Sequence, residues 1–231
     1  MNDRPSLWSR ISAAIAALAK GEGLAAVFDR LRTPPEMTVA FTIAVIALSA
    51  KLAKADGQVT RDEVAAFRQV FAIPPGEEAN AARVFNLARQ DVAGYEAYAR
   101  RIAAMFAADR EMRIDILEAL FHVAMADGEF HPGEDAYLRR VAALFGLGEP
   151  CYRAMRDRFV PGSPHDPYDV LGVSPDAPLE AVRAAWRQAV LESHPDRMMA
   201  RGVPPEAVRL AERRLVAVNA AWDEISRDRA A

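Results

Sequence analysis

Two sets of residues in this 231-residue chain have the types and spacing to do chemistry. The first is His194-Pro195-Asp196, with Arg183 and Arg187 before it and Arg197 directly after. Proline lacks an N–H, its ring clashes with a preceding helical turn, and it pushes the residue before it out of the α region. The helical run 179–193 must therefore stop here, and His194 and Asp196 are expected on an exposed loop before a second helical run, 205–226. A carboxylate on a loop fixed by proline can accept a charge-assisted hydrogen bond from a partner cation at little entropic cost. A catalytic His/Asp pair would need a nucleophile. The lone cysteine, Cys151, sits beside Pro150 in no motif that supplies one.

The second set is acidic. Ala55-Asp56-Gly57-Gln58-Val59 matches Ala126-Asp127-Gly128-Glu129-Phe130, and Glu63 matches Glu134 at the same offset. Each copy follows an apolar helical run and precedes another, so the unit is helix, Asp-Gly turn, helix, used twice. Gly57, Val59 and Glu63 have the spacing of a calcium loop. In that register the first and third ligand positions fall on Leu52 and Lys54, and in the second copy on Val123 and Met125, which cannot hold a hard cation. An ordinary EF-hand is excluded. Two readings fit the four carboxylates Asp56, Glu63, Asp127 and Glu134. In one, Asp-Gly makes the turn, Val59 and Phe130 plug the core, Thr60-Arg61-Asp62-Glu63 is a capping box and Pro132 opens the next helix. In the other, the carboxylates share a divalent cation between repeats packed face to face.

The elements that must position these residues are helical. No segment alternates like a strand, and apolar residues recur at three and four. Helices are expected at 38–54, 61–72, 77–90, 93–107, 111–125, 134–145 and 149–158, so the fold class is all-α. Residues 36–160 form one helical domain, 161–165 a turn-rich linker (Pro161-Gly162-Ser163-Pro164-His165), and 166–231 a second domain. There, Leu179, Val182, Ala185, Trp186, Ala189 and Val190 share one helix face, and Leu215, Val218, Ala221, Trp222 and Ile225 another. The two stripes bury each other, with both tryptophans as core anchors.

Composition excludes much else. At 52% hydrophobic and 26% charged the chain can bury real cores, and its net charge of -3 gives no basic field for nucleic acid. One cysteine allows neither a disulfide framework nor a paired-cysteine zinc module. No compact apolar stretch near the N-terminus leads into a cleavage site, so no secretory leader is expected. The apolar run 39–50 falls short of the about 20 residues a spanning helix needs and reads as a buried core helix. Within residues 1–35, Leu7, Trp8, Ile11, Ile15 and Leu18 recur at helical spacing. This segment either docks on the following domain or lies on a membrane surface through residues 6–20. The expected location is the cytoplasm, free or peripheral at the inner membrane.

The helical repeat with its two Ala-Asp-Gly…Glu turns resembles the TerB-like family of tellurite-resistance and stress proteins. That resemblance implies metal binding at the acidic turns, here Asp56, Glu63, Asp127 and Glu134, and with it a metal-sensing stress role as the second functional reading. Residues 166–231 resemble a J domain in four ordered blocks. These are Asp166-Pro167-Tyr168-Asp169-Val170-Leu171-Gly172-Val173, then Val182-Arg183-Ala184-Ala185-Trp186-Arg187, then His194-Pro195-Asp196-Arg197, then Val218-Asn219-Ala220-Ala221-Trp222-Asp223-Glu224-Ile225. A TerB-like region ahead of a C-terminal J domain, with the long stretch 198–206, resembles the DjlA/DjiA subgroup of DnaJ-like proteins. The resemblance implies a co-chaperone, not an enzyme and without a cofactor. Its partner would be a DnaK-type chaperone whose ATP hydrolysis it stimulates through His194, Pro195 and Asp196, assisted by Arg183, Arg187 and Arg197. Residues 1–160 would recruit a client or partner. The chain departs from the pattern at Glu192-Ser193, where a basic residue is usual, and at Trp186 and Trp222, where tyrosine is usual.

Overall fold

The computed structural model describes residue 11 and residues 36–55 and 94–230. Among the described residues there are nine helices and no strand. These are α1 (Glu36–Ala55), α2 (Tyr95–Met105), α3 (Arg110–Ala124), α4 (Pro132–Leu144), α5 (Glu149–Phe159), α6 (Pro167–Leu171), α7 (Leu179–Glu192), α8 (Pro195–Arg201) and α9 (Pro205–Asp228). The all-α expectation is met. The helices expected at 61–72 and 77–90, and with them the first copy of the repeat, lie outside the described residues.

The apolar run of α1 is a core helix. Every residue from 39 to 50 is buried, including Thr42 and Ser49. Thr42 satisfies its hydroxyl by donating to the Thr38 carbonyl at 2.8 Å, and Tyr137 of α4 donates to the Leu48 carbonyl at 2.7 Å. Among the described residues, no helix is long and apolar enough to cross a membrane. Ile11, the one described residue of 1–35, is fully buried in the same core. The rest of the stretch 6–20 lies outside the described residues.

Helix α3 runs through the middle. Asp109 caps it by accepting from the Met112 amide at 2.9 Å, and residues 114–121 are all buried. The second Asp-Gly turn follows it. Phe130 packs at the edge of the core and stacks on Phe121 with centroids 5.9 Å apart. Pro132 then opens α4 at its first position, where its missing N–H costs nothing.

A second, smaller core joins α6, α7 and α9 through Leu171, Val182, Val218, Ala221 and Ile225. Fully burying a leucine, valine or isoleucine side chain contributes about 1.5–3 kcal/mol. Asp166 starts α6 by accepting from the Tyr168 amide at 2.9 Å, and Gly172 ends it in the left-handed region at φ 66°. Trp186 and Trp222 stack at 5.2 Å but are half-buried at the rim of this core rather than inside it. The reason is polar: the Trp186 indole N–H donates to Asn219 Oδ1 at 3.0 Å, which keeps the pair near solvent. Leu179, expected on the buried face, is 43% exposed because it is the first residue of α7 and overhangs the stripe.

The larger core does not stop at the linker. Met198, Val203, Ala207, Val208 and Ala211, all beyond residue 166, are buried with the residues of α1 to α5. The linker itself carries a bridge. His165 Nδ1 lies 2.5 Å from Asp157 of α5, and Nε2 lies 3.3 Å from Glu224 of α9. The bond to Asp157 raises the imidazole pKa against partial burial, with Glu224 adding to it. A raised pKa stabilises the fold below the ordinary value of 6.5, and that contribution is lost as pH rises through the folded value. His165→Gln is therefore expected to be less stable than wild type at pH 5.5 and to converge with it at alkaline pH, by urea melts. The gap should stay below about 1 kcal/mol, because the imidazole is exposed enough for solvent to screen it.

Candidate functional site: an ordered His-Pro-Asp triad held against a buried ionic cluster

The triad is not on an open loop. It begins a short helix, α8, and here the expectation needs correcting: the connection between α7 and α9 is itself a helical turn pair. Ser193 ends α7, its hydroxyl donating to the Ala189 carbonyl at 2.8 Å. His194 is extended at φ -68°, ψ 131° and caps α8, Pro195 takes the first helical position, and Gly202 at φ 94° closes the helix. A proline placed there begins a helix as readily as it ends the previous one. The Asp196 amide donates to His194 Nδ1 at 3.2 Å, which assigns the ring hydrogen to Nε2.

The side chains of His194 and Asp196 both face solvent. The imidazole of His194 is 57% exposed and the carboxylate of Asp196 is 81% exposed, with 3.8 Å between Nδ1 and Oδ2. Arg183 and Arg187 are exposed one turn apart on α7, and among the described residues neither has an ion-pair partner. Leu191 and Met199 are exposed apolar residues on either side of the triad. The surface so formed offers an acceptor carboxylate, two unpaired cations and two apolar contacts.

Arg197 is differently placed. Its Nη1 lies 2.9 Å from Glu192 Oε1, which Gln188 Nε2 also approaches at 2.7 Å. The other oxygen of Glu192 accepts from Arg201 Nη1 at 3.1 Å. Glu192, the departure from the usual basic residue, thus has its charge met within the chain.

Behind the triad lies a cluster that the reading of motifs did not find. Asp115 and Glu118 of α3 are almost fully buried. Arg214 of α9 reaches both, with Nη2 2.5 Å from Asp115 Oδ1 and 2.6 Å from Glu118 Oε2, and Nε 3.0 Å from Glu118 Oε1. Arg158 of α5 closes on Glu118, and Arg201 Nη2 donates to Asp115 Oδ2 at 3.0 Å. Burial opposes the charge on Glu118, but Arg158 and Arg214 outweigh it and hold the carboxyl below its ordinary range. Burial likewise opposes the charge on Arg214, and Glu118 and Asp115 outweigh it and raise its pKa. One signal was available: two carboxylates three residues apart inside an apolar helical run require buried cations somewhere.

The acidic-turn set is only half described. Asp127 accepts from the Glu129 amide at 3.0 Å, shaping the turn. Glu134 is buried and accepts from the His131 amide at 2.9 Å, which makes it a helix-capping carboxylate. Asp56 and Glu63 lie outside the described residues. Among the described residues, no three His, Cys, Asp or Glu side chains come together as metal ligands would. The Cys151 thiol is half-buried, and burial pushes its pKa up, away from nucleophilic character.

Comparison with known proteins places the chain by family. Residues 42–157 match the family described as tellurite resistance protein TerB, and residues 166–230 match the DnaJ domain. The chain is 25% identical over 225 residues to co-chaperone protein DjlA of Vibrio vulnificus (strain YJ016), covering 82% of this chain and 78% of the relative. It is 25% identical to the protein of the same name from Photobacterium profundum, covering 91% and 85%, and 27% identical to that of Aliivibrio fischeri, covering 82% and 78%. No solved structure matches the chain. The chain therefore belongs to the TerB family, carries a DnaJ domain behind its TerB region, and is akin over most of its length to the DjlA co-chaperones.

Proposed function

We propose that this chain is a J-domain co-chaperone that docks on a DnaK-type chaperone and stimulates its ATP hydrolysis through His194, Pro195 and Asp196. The observation that carries the reading is the triad: ordered by its own helix cap, exposed, and placed at the end of a helix whose outer face shows Arg183 and Arg187. Relatives named co-chaperone DjlA support it. The chain performs no bond chemistry of its own in this scheme. It supplies Asp196 as a charge-assisted acceptor for a partner cation and His194 as a donor through Nε2. Arg183 and Arg187 steer an acidic surface of the chaperone, which makes association fall with salt. Arg197, turned toward Glu192, contributes to the local fold of this face more than to steering. Residues 36–160 act as the recruiting domain for a client or a partner protein.

The test is single-turnover ATP hydrolysis by the DnaK of the same organism, with wild-type chain and with His194→Gln. Acceleration by wild type that disappears in the variant, while the variant remains folded, supports the reading. Equal acceleration by both, or none by either, removes it.

A further inference from the structure

Arg201 connects the triad to the TerB-like domain. Its side chain is 14% exposed and meets three groups at once. Nη2 donates to Asp115 Oδ2 at 3.0 Å and to the Glu192 carbonyl at 3.3 Å, and Nη1 donates to Glu192 Oε2 at 3.1 Å. Asp115 is fixed from its other side by Arg214. Met198, one turn before Arg201 on α8, is 1% exposed and sits in the larger core. The stretch bearing His194 and Asp196 is thus pinned at both ends: at Glu192 before it, and at Met198 and Arg201 after it. A segment free to fluctuate would have to be ordered at the moment of docking, and that cost would come out of the binding free energy.

We propose that Arg201 is a positioning residue: by tying Glu192 to Asp115, it holds the triad in its docking conformation and makes the TerB-like domain part of the encounter with the chaperone. The consequence for stimulation rests on the co-chaperone reading above, while the positioning itself does not. Arg201 touches no partner in this scheme, because its guanidinium is turned inward. Its removal also spares the cluster, since Asp115 keeps Arg214 and Glu192 keeps Arg197 and Gln188.

The experiment uses the full chain carrying Arg201→Gln, with Glu192→Gln as the variant that leaves the Asp115 pairings whole. Two quantities are read: amide hydrogen exchange of residues 193–198, and the dependence of chaperone ATP hydrolysis on co-chaperone concentration. Faster exchange across 193–198 is expected in both variants. The half-saturating concentration should rise roughly threefold to tenfold with the maximal rate unchanged, because ordering is lost but the contacting groups are not. Exchange at the wild-type rate in both variants overturns the proposal. So does a lower maximal rate at unchanged half-saturation, which would place Arg201 in the contact itself. If Arg201→Gln does not fold, Glu192→Gln decides by the same two readings. A wild-type chain that fails to stimulate removes the co-chaperone reading, and the exchange result still decides whether Arg201 positions the triad.

Discussion

Asp196→Asn is expected to yield a folded chain that no longer accelerates ATP hydrolysis by a DnaK-type chaperone. The local fold uses the backbone of Asp196, whose amide donates to His194 Nδ1, and leaves the carboxylate 81% exposed. Asparagine keeps that amide and the side-chain shape, so the cap on α8 survives. What is lost is charge. A hydrogen bond to a charged group contributes about 1.5–3 kcal/mol, and its removal weakens the docked state by roughly one to two orders of magnitude. An exposed substitution of this kind changes stability by no more than about 0.5 kcal/mol. The two measurements are a urea melt and the stimulated turnover rate. Stimulation by Asp196→Asn at the wild-type level would mean that the triad is only a helix start.

The largest effect on stability is expected at Arg214. Its side chain is 8% exposed and carries the pairings to Asp115 and Glu118, with Glu111 at 3.6 Å. Arg214→Met keeps the volume of the side chain and removes its charge. Glu118 is then left with Arg158 and Asp115 with Arg201, in surroundings where an underpaired charge is costly. Breaking a buried ionic pair by removing one partner costs about 3–5 kcal/mol, a large fraction of a domain's about 5–15 kcal/mol. The urea midpoint should fall accordingly. The pH dependence has a definite sign. Glu118 has its pKa lowered in the fold, so its contribution is present above the ordinary value of 4.5 and is lost as pH falls through the folded value. The advantage of wild type over Arg214→Met should therefore shrink in acid. A variant as stable as wild type at neutral pH would show that the cluster contributes nothing net.

Much of this was legible in the residues, for reasons that can be named. The run 39–50 announced a buried helix because it is apolar on every side. The start of α4 was legible because Pro132 acts on its own neighbours. The triad stood out because proline constrains its surroundings wherever it occurs. Helix α8 was not legible, because Pro195 and Gly202 are breakers as well as helix ends, and only seven residues separate the two readings. The tryptophan pair was placed too deep, since periodicity reports a face and not how far along that face water reaches. The ionic cluster was missed for a different reason. Asp115 and Glu118 lie within a strongly apolar stretch, but Arg158 is 40 residues from Glu118, and Arg201 and Arg214 are 86 to 99 residues from their carboxylates. Single charges carry no periodicity that could pair them over that distance.

The shared core has a consequence for the order in which the protein is made. Asp115 and Glu118 leave the ribosome 96 to 99 residues ahead of Arg214. At the usual pace of synthesis that interval is about 5–20 s. For most of it, two carboxylates are embedded in an apolar helix with Arg158 as their partner cation, and Arg201 follows only shortly before Arg214. The face that Met198, Val203, Ala207, Val208 and Ala211 will cover is still wet. The upstream domain cannot finish its interior until α9 arrives, so its folding lags well behind its own synthesis. A nascent chain that stops short of α9 therefore carries an unfinished interior, and its His-Pro-Asp stretch lacks the packing that the shared core gives it.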